Sequence, residues 1–443
     1  MNILIIGSGA REHALAKAFR RSSQKPTLFC YATSHNPGIK IVCENYQVGD
    51  INLVDNIVDI ALAWQIDLAI IGPEAPLEKG LADALWQAHI PTVGPKKNLA
   101  RIETSKAFTR ELFKKHGIPG SPLYQVFDDL EGVKEFLIKL GENHYVIKAN
   151  GLMGGKGVKV AGDHLHSIAE AYQFCQELIS QGQSLVIEEK LIGQEFSLLC
   201  FCDGTTLVPM PLVQDHKRAF IGDKGPNTGG MGSYSAADHR LPFLTEKDIE
   251  QANHINEAML TALTADTREQ YRGILYGSFI ATREGVRLIE YNARFGDPEA
   301  LNVLAILTSD LVEIGEAIVT GRLSRNHVTF AKLATVCKYA VPEGYPDKPI
   351  KNQPIDISQV RYPEQLYLAA VDDRQGILYA TGSRTAAVVG IAETIQDAEQ
   401  QAEEEIQRIQ GSLFHRPDIG TRELINQRIQ QMKELRKKEY QFL

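Results

Sequence analysis

The chain is 443 residues long, too long for one ordinary core and enough for about two to four domains. Hydrophobic residues make up 44% and charged residues 23%, the balance of a soluble globular protein. The net charge of −8 supplies no basic footprint for nucleic acid, so no nucleic-acid partner is expected.

Met1 leads directly into the apolar run 2–6 and then Gly7. The run is short, has no basic leader and reads as a buried strand and not as a signal peptide. No apolar stretch reaches the ~18 residues that would suggest a membrane span. Further strands are expected at 27–31, 68–71 and 91–93, with amphipathic helices at 12–21 and 53–65. That alternation predicts a doubly wound parallel sheet, whose ligands bind beyond the carboxyl ends of the strands. Residues 101–115 read as helical. Strands at 146–149, 158–161 and 185–188, with a helix near 169–180, form an α+β pattern distinct from the first hundred residues. A second strand-rich stretch covers 196–210 and 278–291. Past 320–326, strands at 335–339, 366–371 and 386–391 predict a small C-terminal domain, and from Thr394 onward the pattern is charged and helical. The basic residues near its end suit a helix dipole and solvation.

Six cysteines show no zinc or CxxC spacing. Cys200 and Cys202 would share one face of a strand and read as small buried residues. A cysteine-poor chain without a leader fits a reducing, cytoplasmic setting.

Gly7-Ser8-Gly9-Ala10-Arg11-Glu12-His13 follows a strand and opens a helix. Glycine permits the tight turn, and exposed helix N–H groups bind anions. A dinucleotide fingerprint would need glycine at Glu12 and an acid near Cys30–Ala32, so a nicotinamide cofactor is disfavoured. A phosphate on a smaller ligand fits the turn, with Arg11 adding charge.

The stretch from Lys148 to Val160 places a glycine-rich turn (Gly151, Gly154, Gly155, Gly157) between two strands, with Lys148 before it and Lys156 inside it. Backbone N–H groups there can approach phosphate oxygens, and lysine supplies point charge. It is not a Walker A loop, because Gly157 and not Ser or Thr follows Gly155-Lys156. Ser105-Lys106 opens a helix upstream. Downstream, Glu188, Glu189, Lys190 and Leu191 end a strand, followed by Glu195. A strand edge offers backbone groups to adenine, and a carboxylate can accept from ribose. Glu290 and Asn292 lie two apart on a strand, hence on one face, and are hard oxygen ligands suited to magnesium. Arg294 could meet a phosphoryl group or an oxyanion.

These elements together resemble the ATP-grasp fold. The runs 7–14, 72–77, 214–218, 225–232 and 294–299 narrow the resemblance to the phosphoribosylamine–glycine ligase family, and the stretch from Gln214 to Gly232 is highly specific to it. The resemblance covers residues 1 to about 425. It implies an N-terminal α/β domain at 1–103, an ATP-grasp domain at 104–325 with a mobile lid near 121–190, and a C-terminal domain at 326–443. It implies ligation of glycine to 5-phosphoribosylamine through glycyl phosphate, with ATP as co-substrate and Mg2+ or Mn2+. The expected protein is a cytoplasmic monomer with small-molecule substrates only.

The resemblance also implies roles. Lys106, Lys148 and Lys156 would contact ATP phosphates under Gly154, Gly155 and Gly157. Glu188, Glu189, Lys190 and Leu191 would hold adenine, Glu195 the ribose, and Glu290 and Asn292 the metal. Ser8, Gly9, Ala10 and Arg11 would take the sugar phosphate. Glu74, Asp215, His216, Lys217, Asn227, Thr228, Gly229, Gly230 and Asp297 would enclose the amine and glycine. Arg294, Asp215 and Lys156 would be catalytic. The chain departs from common relatives at Ala10, at Ala300-Leu301-Asn302 and at 366–370. Other carboxylates on the same fold, or nucleotide binding without chemistry, are the competing readings.

Overall fold

The structure, a computed structural model, describes residues 1–153 and 157–437. Strands Asn2–Ile6, Thr27–Ala32, Asn45–Val48, Leu68–Ile71 and Thr92–Val93 form a five-stranded sheet. All its pairings are parallel, and the first strand sits at its centre. The first, second and fourth strands are nearly continuous runs of buried residues, as a sheet covered on both faces requires. Strand Asn45–Val48 escapes sequence reading because it is short and mostly exposed.

A second, antiparallel sheet carries the long strands Gly193–Asp203 and Arg272–Thr282 at its centre, with Leu207–Pro209 and Gly285–Asn292 outside them. Helix Glu246–Thr267 packs on it. Thr245 and Asp248 cap this helix reciprocally, which satisfies two of its free N–H groups.

A third, four-stranded sheet runs in the order Tyr124–Phe127, Leu185–Glu189, Tyr145–Ala149, Val158–Val160. Helices Val133–Leu140 and Ile168–Ser180 close it over a core of its own, built from Phe127, Phe136, Tyr145, Ile147, Leu178 and Ile187. A separate core is what a subdomain needs to move as one body. Its strand order corrects one expectation. Leu185–Glu189 is not an edge strand, because Tyr124–Phe127 pairs with its outer side.

The expected helix over 101–115 is two helices, Lys97–Thr104 and Lys106–His116. They break at Ser105, whose extended backbone lets its hydroxyl cap the second helix at Phe108 N.

Strands Gln214–Asp215 and Gly232–Ser235 pair on toward Ala334–Pro342, Ala386–Ala392 and Leu366–Leu368. The sheet of the C-terminal segment therefore takes in both ends of the 214–232 signature. The charged end is likewise not one helix. Helices Ile395–Ile406 and Arg422–Lys437 are separated by strand Leu413–Phe414. All six cysteines are free. No described helix is long and apolar enough to cross a membrane.

Candidate active site

Between the third sheet and the second lies a cleft lined by Glu103, Lys106, Arg110, Lys148, Glu188 and Glu290. Lys148 and Glu188 project from neighbouring strands of the third sheet, and their burial (5% and 3% exposed) demands pairing. Lys148 Nζ lies 2.8 Å from Glu188 Oε2 and donates to Ile289 O at 3.0 Å. Arg110 grips the same carboxylate with two bonds of 2.6 and 3.0 Å and reaches the Leu288 and Ile289 carbonyls. Burial opposes the Glu188 charge, yet Arg110 and Lys148 hold its pKa down to about 2. Its carboxylate is thus consumed in orienting a lysine.

Glu189 and Lys190 are also engaged beside the third sheet. Glu189 accepts from Leu123 N at 2.7 Å, and Lys190 donates to Ala161 O at 2.7 Å. With the strand interior to its sheet, the N–H groups of Glu189 and Lys190 are taken by Leu123 O and His144 O, and half-buried Leu191 follows them. Gly157 O closes the glycine-rich turn by accepting from Ala149 N. Gly154, Gly155 and Lys156 lie outside the described residues.

Lys106 Nζ donates to Gly151 O at 2.8 Å, and Asn150 accepts from Ala107 N. These bonds bring the start of helix Lys106–His116 against the turn. Burial lowers the Lys106 pKa, and the Glu290 charge works against that. Glu290 and Asn292 do share one face of strand Gly285–Asn292, with buried Tyr291 between them on the other. Burial disfavours the Glu290 charge, but Lys217, Lys148, Lys106 and Arg294 outweigh it and depress its pKa. One ionised carboxylate and one amide make a hard oxygen pair. That donor set fits a divalent cation sharing its remaining positions with phosphate and water. Among the described residues no cluster of three or more His, Cys, Asp or Glu could hold a metal without such help.

Arg294 sits between two carboxylates, Glu103 Oε1 at 3.0 Å and Glu74 Oε2 at 3.4 Å. Glu103 also takes Ala293 N at 2.7 Å, which fixes the backbone beside the arginine. Burial raises the Glu103 pKa against the pull of Arg294, and Glu74 adds to the rise.

The N-terminal turn meets this region from the other side. Gly7 has φ +113, and a Cβ there would meet Glu12 at 2.9 Å. Glu12 accepts from Gly9 N and from Arg11 Nε, each at 2.6 Å, and Arg11 Nη1 donates to Phe295 O at 3.1 Å. Part of the turn's anion capacity is therefore taken by its own carboxylate. Ala10 is fully buried and Ser8 pairs with Ser34. His13 and Asn36 tie the turn to the C-terminal segment. Leu368 N donates to His13 Nδ1 at 2.9 Å, and Asn36 Nδ2 donates to Ser8 O and Leu368 O. The departure at 366–370 thus touches the turn directly, whereas Ala300 and Leu301 are buried packing residues and buried Asn302 hydrogen-bonds to Ser233 and Thr335.

Asp215 opens the signature loop. Its buried Oδ1 has no partner among the described residues. Burial raises its pKa, Glu299 adds to that, and Lys217 and Arg384 counter it. Gly230, at φ +109, lies so near that a Cβ would meet Asp215 Oδ1 at 2.7 Å. Lys217 Nζ is 3.5 Å from Glu195 Oε2. Thr228 donates twice to Lys217 O, at 2.7 and 2.8 Å, and Asn227 pairs with Arg218. Arg384 donates to Gly229 O, Gly230 O and Asp297 O and lies 3.1 Å from the Asp297 carboxylate, which also accepts from Tyr339.

His216 stands apart. Its ring is buried against Tyr234, neither nitrogen has a partner among the described residues, and burial lowers its pKa to about 3. It is a neutral packing group at neutral pH. Sequence reading missed Glu103, Arg110, Tyr339 and Arg384, which carry no local motif, and gave Glu299 no role although it ends the 294–299 run.

The chain matches the three domains of phosphoribosylglycinamide synthetase: N over 1–103, ATP-grasp (A) over 104–300 and C over 335–422. It is 48% identical to phosphoribosylamine–glycine ligase of Methanosarcina barkeri, over 98% of this chain and 100% of that protein. It is 49% identical to the Methanosarcina acetivorans protein of the same name, over 98% of each. The crystal structure of Thermotoga maritima phosphoribosylamine–glycine ligase superposes with a TM-score of 0.80 at 28% identity, covering 94% of this chain and 100% of that one. With the sequence likeness spanning nearly all of both chains, this chain belongs to the phosphoribosylamine–glycine ligase family.

Proposed function

We propose that the protein ligates glycine to 5-phosphoribosylamine with hydrolysis of ATP to ADP and phosphate, giving glycinamide ribonucleotide for purine biosynthesis. The observation that carries this reading is one cleft lined by Lys106, Lys148 and Glu290, with the charges of Lys217 and Arg294 also acting on Glu290. A carboxylate is a poor acylating agent and needs phosphorylation first. Glycine's carboxylate oxygen attacks the γ-phosphorus and ADP leaves. The amine then attacks the acyl carbon, phosphate leaves and the amine loses a proton.

Each residue has a place in that scheme. Lys106 and Lys148, with Lys156 of the glycine-rich turn, neutralise the phosphates, and Glu188 holds Lys148 in position. The lid, about 121–190, closes over the nucleotide. The backbone near Leu191 receives adenine and Glu195 the ribose. Glu290 and Asn292 would hold Mg2+ or Mn2+, which would supply positive charge to neutralise the phosphates. Arg294, released from Glu74, meets the acyl phosphate and the oxyanion formed from it. The unpartnered Asp215 Oδ1 receives the glycine ammonium, while Lys217, the 227–230 loop and Asp297 exclude water. The turn from Ser8 to Arg11 takes the sugar phosphate and Glu74 the sugar. The protein works as a cytoplasmic monomer, divided at about residues 103 and 325.

Glycine labelled with 18O in its carboxylate tests the acyl phosphate. One label should appear in released phosphate; unlabelled phosphate would rule out this route.

A further inference from the structure

Strands Arg218–Phe220 and Lys224–Asn227 form a two-stranded sheet of their own. Phe220 and Ile221 near its tip are 49% and 58% exposed. A two-stranded hairpin with so little apolar cover is marginal by itself. Yet its base presents Lys217, Asn227 and Thr228, so the order of the site depends on whatever holds the hairpin still.

Charge holds it. Asp223 sits at the tip in the left-handed region, at φ 55. Its carboxylate accepts from Arg416 at 2.8 Å and from Arg428. Burial opposes that charge, but Arg428 leads the groups that bring the Asp223 pKa to about 2. Arg416 is fully buried, grips Asp418 with two bonds and donates to Arg218 O at 3.1 Å. Asp418 accepts from Gly222 N at 3.0 Å. On the opposite side, Arg218 reaches Asp163 of the lid at 2.6 Å.

Arg428 differs from the rest of this cluster in its place in the chain. It lies on helix Arg422–Lys437, beyond residue 422 where the match to the family's C domain ends. The helix is itself well fixed. Leu424, Ile425 and Met432 are buried, Gln194 donates to Gln431 at 2.7 Å, and Arg436 donates to Asp248 at 2.7 Å.

We propose that Arg428 is a positioning residue for the ligase reaction, clamping Asp223 from the C-terminal helix and so ordering the hairpin whose base closes the glycine and amine side of the cleft. This rests on the function proposed above. The clamp makes the terminal helix a working part of the active site, although none of its residues has a proposed role in binding substrate.

The test uses the full chain with Arg428→Gln, Arg428→Lys and Asp223→Asn. Asparagine tolerates the left-handed backbone, so the last variant removes charge and keeps the turn. The expected result for Arg428→Gln and Asp223→Asn is a rise of about fivefold in KM for glycine and phosphoribosylamine. The change for ATP should be smaller and tryptic cleavage at Lys224 faster. Arg428→Lys should recover part of the loss. Unchanged KM values with unchanged cleavage would overturn the clamp. So would a lowered melting temperature with unchanged KM values, which marks a purely structural helix. Absence of glycine-dependent turnover in the unmodified protein would defeat the function reading instead, and the cleavage rate at Lys224 would then decide the clamp alone.

Discussion

Lys148 Nζ lies 2.8 Å from Glu188 Oε2, both side chains being buried on adjacent strands of the third sheet. The pair joins that sheet to the second sheet through Arg110 and Ile289, so one ion-pair network sets both the seat of the third sheet and the aim of Lys148, the lysine proposed to bind phosphate. Removing one partner leaves an uncompensated buried charge, which costs about 3–5 kcal/mol. Glu188→Gln should therefore lower the thermal midpoint and weaken ATP binding together. Calorimetry and nucleotide titration check this, and wild-type values in both would refute it.

The same pair predicts an acid limb in stability. The folded-state pKa of Glu188, about 2, lies below its ordinary 4.5. Its contribution is complete above about 4.5 and is lost as pH falls toward 2, to the extent of about 3 kcal/mol. Urea unfolding followed between pH 5 and pH 3 should show about half of this loss, and Glu188→Gln should flatten it.

Glu290→Ala should abolish metal-dependent ADP formation, reducing kcat by roughly a hundredfold or more, with an unchanged circular dichroism spectrum. Saturating magnesium should not rescue it. Near-normal turnover would remove Glu290 from the metal site.

Arg294→Lys keeps the charge but cannot span Glu74 and Glu103 with a planar fork. We expect kcat to fall by about 10²–10³ with ATP affinity little changed. Rapid-quench measurement of ADP separates these effects, and a loss confined to ATP binding would contradict the role given to Arg294.

His216 carries no charge near neutral pH, because burial lowers its pKa to about 3. The rate profile between pH 6 and pH 9 should keep its shape in His216→Gln. A lost or displaced limb would restore His216 to the chemistry.

What the sequence made legible was whatever local spacing expresses. The alternation of strands and helices gave the parallel sheet, and the two-residue spacing of Glu290 and Asn292 put them on one face. Partners brought in by packing were not legible. Arg110, Glu103 and Arg384 are single charges in unremarkable surroundings, and only the fold sets them against Glu188, Arg294 and Asp297. Sheet order is also non-local, which is why Leu185–Glu189 read as an edge until Tyr124–Phe127 covered it. The opening of a helix at Ser105-Lys106 was legible from the capping residue. One miss had a signal: Gly411 with Pro417 marked the interruption of the charged end.

The central claim is most directly tested by ADP release from purified protein with ATP and magnesium, with glycine and freshly generated phosphoribosylamine supplied singly and together. The account predicts sustained release only when both are present, with the mass of glycinamide ribonucleotide in the product. Release supported by another carboxylate and not by glycine, or ATP binding with no carboxylate-dependent release, would contradict it.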